Sequence, residues 1–187
     1  MNKIELLAPA GSFEKAKIAF LYGADAVYMG TKSLSLRTRV SVDDNELNKT
    51  IEYAHKIGKK VYVALNIFAW DEKYEEIIEM AKKLEQLKPD GIIAADGGVI
   101  EVLKQYAPSI PINVSTQANI VSLHAANFWY KNGGKRMIPA GLHMAATILM
   151  ITSRRTRFPR KSEVCSRSTW RQTASFFAPL SQLPGGL

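Results

Sequence analysis

A single cysteine, Cys165, leaves the 187-residue chain without an internal disulfide and without the clustered thiolates that hold zinc or an iron–sulfur centre. No stretch approaches the roughly 20 apolar residues that span a bilayer. The opening MNKIELLAPAGSFEK reaches Pro9, Gly11, Glu14 and Lys15 before an apolar run of signal-peptide length can form. Also missing are H-E-x-x-H and any Ser–His or Cys–His arrangement that would mark a nucleophile with its base. His55, His124 and His143 are read as structural, and the catalytic residues stay unassigned. The expectation is a cytoplasmic chain in a reducing setting, with no membrane span and no metal or cofactor of its own.

What is present is an ordinary globular composition, 47% hydrophobic and 22% charged. The formal net charge of +8 is unevenly spread. Residues 1–139 hold 18 Lys+Arg against 16 Asp+Glu, whereas 140–187 hold 7 against 1. The basicity therefore belongs to the tail, and charge alone gives no reason to treat the first 139 residues as a nucleic-acid surface.

Short β-type runs alternate with longer segments of helical periodicity, the sign of βαβ units on a parallel sheet. Strands are expected at Lys3 to Ala8, Ala26 to Met29 (stopped by Gly30), Lys60 to Leu65, Gly91 to Ala95 and Ile112 to Ser115, with a sixth beginning at Arg136. Helices are expected after Ser12, with Ala16, Ala19, Phe20 and Leu21 inward, and at Asp43 to Ile57, Asp71 to Leu87, Val99 to Tyr106 and Ser122 to Asn132. Five βα units and the start of a sixth predict an α/β fold, an incomplete (β/α) TIM-like barrel. A complete barrel needs about 250 residues, and an open doubly wound sheet is the alternative.

The repeat stops near Ala140. Residues 1–139 read as a partial barrel domain and 140–187 as a basic, atypical tail. One reading is a natural basic tail that binds RNA, in which Arg154, Arg155, Arg157, Arg160, Lys161, Arg167 and Arg171 could neutralise phosphates. A shifted or truncated reading frame is the competing explanation of that segment.

In a parallel barrel the strand C-termini converge on one rim, which carries the site. That rule selects Ser12, in a Pro9–Gly11 loop where helix N–H groups could hold an anion; Arg37 and Arg39, whose guanidinium forks suit carboxylate or phosphate; and the rim carboxamide Asn66 and carboxylate Asp96. It also selects Ser115, Thr116, Gln117 and Asn119, the densest uncharged polar group, suited to a hydrogen-bonding wall for a peptide or nucleotide. The bland alternatives are a helix cap for Ser12, solvated arginines, and turn caps for Asn66 and Asp96.

ELLAPAGS at 5–12, GADAVYMG at 23–30, EYAHKIGKKVYVALN at 52–66 and NVSTQANI at 113–120 together resemble the collagenase-like peptidase family U-32, over about Ile4 to Pro139. The resemblance implies a barrel-like N-terminal domain and a peptidase of unassigned catalytic type. It also implies members that serve in hydroxylating tRNA or ribosomal RNA or in ubiquinone synthesis, with iron–sulfur clusters in full-length relatives whose cysteine ligands lie beyond this stretch. The family continues after its sixth strand with an Ala-Arg-Glu-Leu type segment, where this chain has Ala140-Gly141-Leu142-His143. The expectations are an N-terminal fragment of a peptidase, inactive as it stands; alternatively an RNA-binding or RNA-hydroxylation protein; or a non-functional product. A peptide or RNA partner is expected, as is self-association through unpaired strand edges.

Overall fold

The computed structural model describes residues 5–31, 34 and 41–140. Strand β1 (Leu7–Pro9) leads into helix α1 (Phe13–Leu21), and β2 (Ala26–Thr31) is followed by the two-residue β3 (Ser41–Val42) and α2 (Asp44–Lys56). Next come β4 (Lys60–Leu65), α3 (Tyr74–Leu87), β5 (Gly91–Ala94), α4 (Gly97–Tyr106), β6 (Ile112–Val114), α5 (Leu123–Lys131) and β7 (Gly134–Met137).

Helices α1, α2, α4 and α5 start where short polar side chains accept backbone N–H groups: Ser12 from Lys15, Asp43 from Glu46, Asp96 from Val99 and Ser122 from Ala125. Gly58, just past α2, takes φ +66, a left-handed value that costs a side-chain-free residue little. Helix α3 ends on Lys88 in the same region, with Pro89 barring its continuation.

Every strand pairing is parallel, and the sheet order is β1-β2-β4-β5-β6-β7 with β3 beside β2. Apart from the two-residue β3, neighbours in space are neighbours in sequence and the order never reverses, so the sheet is singly wound. This is the incomplete barrel and not the doubly wound alternative, whose strand order reverses at a switch point.

Alternation along the strands sorts side chains into two cores. Val27, Met29, Val61, Val63, Leu65, Ile92, Ala94 and Val114 face the helices and pack on Leu47, Ile51, Ile77, Ala81, Leu84, Ile100 and Leu103. Leu7, Ala26, Tyr62, Ala64, Ile93 and Ile138 form a smaller cluster on the concave side, with Tyr28 against it. At Gly91 the backbone runs so close to its neighbours that a Cβ would lie 2.7 Å from Asn113 Nδ2, 2.9 Å from the Tyr62 ring and 3.1 Å from the Pro111 carbonyl.

Several boundaries differ from the sequence reading. The first strand begins at Leu7 among the described residues, and β2 passes through Gly30 to Thr31, because pairing with β4 continues to Gly30↔Ala64. Residues 71–73 form a 3₁₀ turn ahead of α3. Leu21 is 83% exposed, since the buried face of α1 is the i, i+4 pair Ala16 and Phe20. The sixth barrel strand starts two residues early, at Gly134, and strand β3 had no sequence signal. Residues 141–187 lie outside the described region.

Candidate functional site

The rim at the strand C-termini gathers most of the selected residues and divides them by what they touch. Ser12 is engaged by the fold: its Oγ accepts the Lys15 N–H at 3.2 Å, while the Phe13 N–H is donated to Glu46 Oε1 at 3.1 Å. The α1 N-terminus, read as an anion seat, thus already receives the chain's own carboxylate. Asp96 is similarly committed, its Oδ1 accepting the Val99 N–H at 3.0 Å and the Tyr74 hydroxyl at 3.2 Å. Burial together with the charge of Asp96 and this hydrogen bond raises the Tyr74 phenol above its ordinary range, Asp71 adding to the effect.

Asn66 differs. It follows β4 two residues beyond inward-facing Ala64, its Oδ1 is buried, and that oxygen has no hydrogen-bond partner. Buried polar atoms are nearly always satisfied, so an orphan acceptor at a barrel rim marks a place where a ligand or water completes the bonding. Thr31 Oγ1, at the end of the adjoining β2, is a second such atom.

Ser115 is buried, on the strand alternation that also turns Asn113 inward, and its hydroxyl lies 3.5 Å from both the Gln117 N–H and Gln117 Oε1. Thr116 and Gln117 belong to a 3₁₀ turn, Thr116–Ala118, closed by Asn119 at φ +50 with its N–H on the Thr116 carbonyl. Gln117 and Asn119 are exposed. The group is a hydrogen-bonding wall without charge. Arg37 and Arg39 lie outside the described residues.

At the opposite, N-terminal end of the barrel interior is a polar network that the sequence reading missed. Glu5, just ahead of β1, accepts from Lys60 Nζ at 2.8 Å, from Arg136 Nη1 at 3.0 Å and from the Tyr62 hydroxyl at 2.9 and 3.1 Å. The Arg136 guanidinium also stands 5.1 Å from the centre of the Tyr62 ring. Burial alone would raise the Glu5 carboxyl, but the Lys60 bond, the Arg136 charge and the Tyr62 hydroxyl together hold it below its usual range. The Tyr62 phenol is pushed up, mainly by burial and further by Glu5, against the lowering influence of Arg136. The available signal was period-two alternation: Tyr62, Asn113 and Arg136 fall at inward positions of β4, β6 and β7.

His55 Nε2 lies 3.1 Å from Asp90 Oδ2, which also accepts the Val61 N–H at 2.9 Å, and His124 is in α5. No group of three or more His, Cys, Asp or Glu suited to a metal ion exists among the described residues. The iron–sulfur cluster implied by the family resemblance therefore finds no ligand set there, and the sole cysteine, Cys165, lies outside them. Among the same residues no helix is long and apolar enough to cross a membrane.

Comparison with known proteins bears on both fold and family. The chain resembles the solved U32 peptidase Mk0906 with a TM-score of 0.59 at 16% identity, covering 73% of this chain and 58% of that one. It resembles phosphoribosyl anthranilate isomerase with a TM-score of 0.56 at 12% identity, over 82% and 73%. At such identities the likeness concerns the barrel architecture alone. In sequence it is 42% identical over 142 residues to tRNA hydroxylation protein P of Helicobacter pylori, 75% of this chain and 34% of that protein. It is 40% identical over 139 residues to the Escherichia coli protein of the same name, 74% and 31%. The 23S rRNA 5-hydroxycytidine C2501 synthase of Escherichia coli is 32% identical over 127 residues, 68% of this chain and 19% of that protein. The chain spans about a third of the length of the tRNA hydroxylation proteins it matches. The family model for peptidase family U32 matches residues 11–155, well over half of the chain and through every strand from β2 to β7, and the chain belongs to that family.

Proposed function

We propose that this chain is the substrate-facing barrel portion of an RNA-hydroxylation protein, and that its rim around Asn66 and Ser115 contacts RNA and not a peptide to be cut. The observation that carries this reading is the 40–42% identity to tRNA hydroxylation proteins across the barrel. It favours RNA modification, the second of the sequence expectations, over proteolysis. The rim supports it: the Ser12 hydroxyl caps a helix and Ser115 meets Gln117, so neither of these rim serines is joined to a base.

An uncharged wall of Asn66, Ser115, Thr116 and Gln117 suits the edges of an unstacked base, each side chain both donating and accepting. The arginines between residues 154 and 171 supply the sequence-independent attraction to phosphates. The chemical step itself, with any cluster it uses, is assigned to parts of the protein outside the described residues. The open edges of β1 and β7 give a second association, between copies of the chain, when nothing covers them.

The test is nucleoside mass spectrometry of tRNA from cells whose only gene copy carries Asn66→Ala. Loss of a nucleoside bearing one added oxygen supports the reading. A full complement of hydroxylated nucleosides, together with gelatin cleavage by the purified wild-type protein, refutes it.

A further inference from the structure

Two large aromatic side chains stand in the open on the loop that follows β4. Phe68 is 74% exposed and Trp70 is 70% exposed. Single exposed apolar residues are ordinary on a protein surface. Two of the largest on one short loop make a contact surface that no described part of the chain covers.

The loop is held in a defined shape. Ile67 and Ala69 pack against the main core, and the alternate residues Phe68 and Trp70 are left outside it. The Trp70 N–H is donated to the Phe68 carbonyl at 3.1 Å and the Lys73 N–H to the Trp70 carbonyl at 2.8 Å, so the backbone beneath both rings is tied to the 3₁₀ turn that follows. Among the described residues neither ring meets another aromatic or a cation, and the Trp70 indole N–H has no acceptor.

Position separates this pair from other exposed apolar side chains. Ile18 and Leu21 on α1 and Phe128 on α5 flank the sheet edges β1 and β7, where added barrel units would cover them. Strand β4 is interior, between β2 and β5, so the open edges do not account for Phe68 and Trp70. They stand on the strand C-terminal rim, just beyond Asn66, whose buried Oδ1 has no hydrogen-bond partner. An acceptor without a donor and two uncovered rings thus share one short stretch of chain.

We propose that Phe68 and Trp70 form a stacking platform for an unpaired RNA base beside the Asn66 amide. This rests on the RNA reading of the rim and adds to it the residues that hold the base by its face. A base offers a π-face and a polar edge. Flat rings on a fixed loop take the face whatever the sequence, and a buried amide oxygen takes an N–H from the edge. Each ring turns about only two side-chain torsions, so little conformational freedom is lost in the contact. Exposed Asp71 and Glu72 follow Trp70 directly, so attraction to phosphates is not what this loop contributes.

The test is an equilibrium titration of the full chain with a short unstructured oligoribonucleotide, beside an abasic strand of the same length, followed by anisotropy and tryptophan fluorescence. Phe68→Ala and Trp70→Ala are each expected to weaken binding of the normal strand about tenfold, the scale of one base–aromatic stack, and to leave its salt dependence unchanged, since no charge is lost. Trp70→Phe keeps most of the affinity but reduces the fluorescence quench. Both side chains are exposed, so the variants keep the fold, which thermal melts verify. Binding that either alanine variant leaves intact, or an abasic strand held as tightly as the normal one, overturns the platform and leaves the RNA reading standing. Absence of saturable binding of either strand by the wild type overturns both. Self-association that the alanine variants abolish, with RNA affinity unchanged, identifies the rings as a protein contact and likewise overturns the platform.

Discussion

Glu5 and Arg136 are separated by 131 residues of sequence and by 3.0 Å in space. The first precedes β1 and the second lies on β7, the two edges of the curled sheet, so their ion pair spans the open side of the barrel and ties its first strand to its last. Eight strands close a TIM barrel without edges; among the described residues β1 and β7 do not pair as strands, and the Glu5–Arg136 pair joins them.

That pair makes stability depend on pH in a defined direction. The folded Glu5 carboxyl is held below the ordinary value of 4.5, so its contribution is full above that value and is lost as pH falls through the lower, folded value. Glu5→Gln is expected to lose about 2 kcal/mol at pH 7, the scale of charge-assisted hydrogen bonds. Half-exposed Lys60 adds little to that figure. Urea unfolding of both proteins checks it, the difference shrinking once the pH lies below the folded value.

Gly91→Ala tests the close approach of β5 to its neighbours. The added methyl meets the Asn113 amide, the Tyr62 ring and the Pro111 carbonyl, and the last of these is backbone that cannot swing aside. A loss of about 1–3 kcal/mol is expected in denaturant unfolding, the usual cost of overpacking. A neutral result would show that β5 and β6 shift apart freely.

Ser12→Ala and Asn66→Ala should separate stability from binding. Ser12 caps α1, so its loss is expected to cost about 0.5–2 kcal/mol and to leave tRNA affinity unchanged. Asn66 Oδ1 has no partner, so its removal is expected to leave the melting temperature unchanged or higher while weakening tRNA binding. Paired thermal and binding curves on the two variants measure both effects.

Asp96→Ala removes both the α4 cap and the acceptor for Tyr74. A stability loss of about 1–2 kcal/mol is expected. Tyr74→Phe, which keeps the cap, should cost less, and a double-mutant cycle by chemical unfolding separates the two bonds.

The fold was legible because buried parallel strands and amphipathic helices leave strong, opposite periodicities. Lys60 to Leu65 matched in full, and of the helically spaced Ile77, Ile78, Ala81 and Leu84 all but half-buried Ile78 form the buried face of α3. Local pattern failed where tertiary pairing decides: Gly30 looks like a stop, yet pairing with Ala64 carries β2 through it.

The rim was located by topology, and Ser12, Asn66, Asp96 and Ser115 do follow strand ends. Which of them is spent on the fold was not readable, because a cap and a ligand contact demand the same short polar side chain. The Glu5–Arg136 network escaped because it joins strands through the barrel interior, a relationship that no window along the sequence contains.

The most direct test of RNA recognition is an equilibrium titration of the purified chain with unmodified tRNA over a series of salt concentrations, beside a gelatin peptide. The expected result is saturable tRNA binding whose logarithm falls linearly with that of the salt concentration, weakened by Asn66→Ala, with no peptide binding. Saturable binding of the peptide, with tRNA binding absent or indifferent to Asn66, would contradict it.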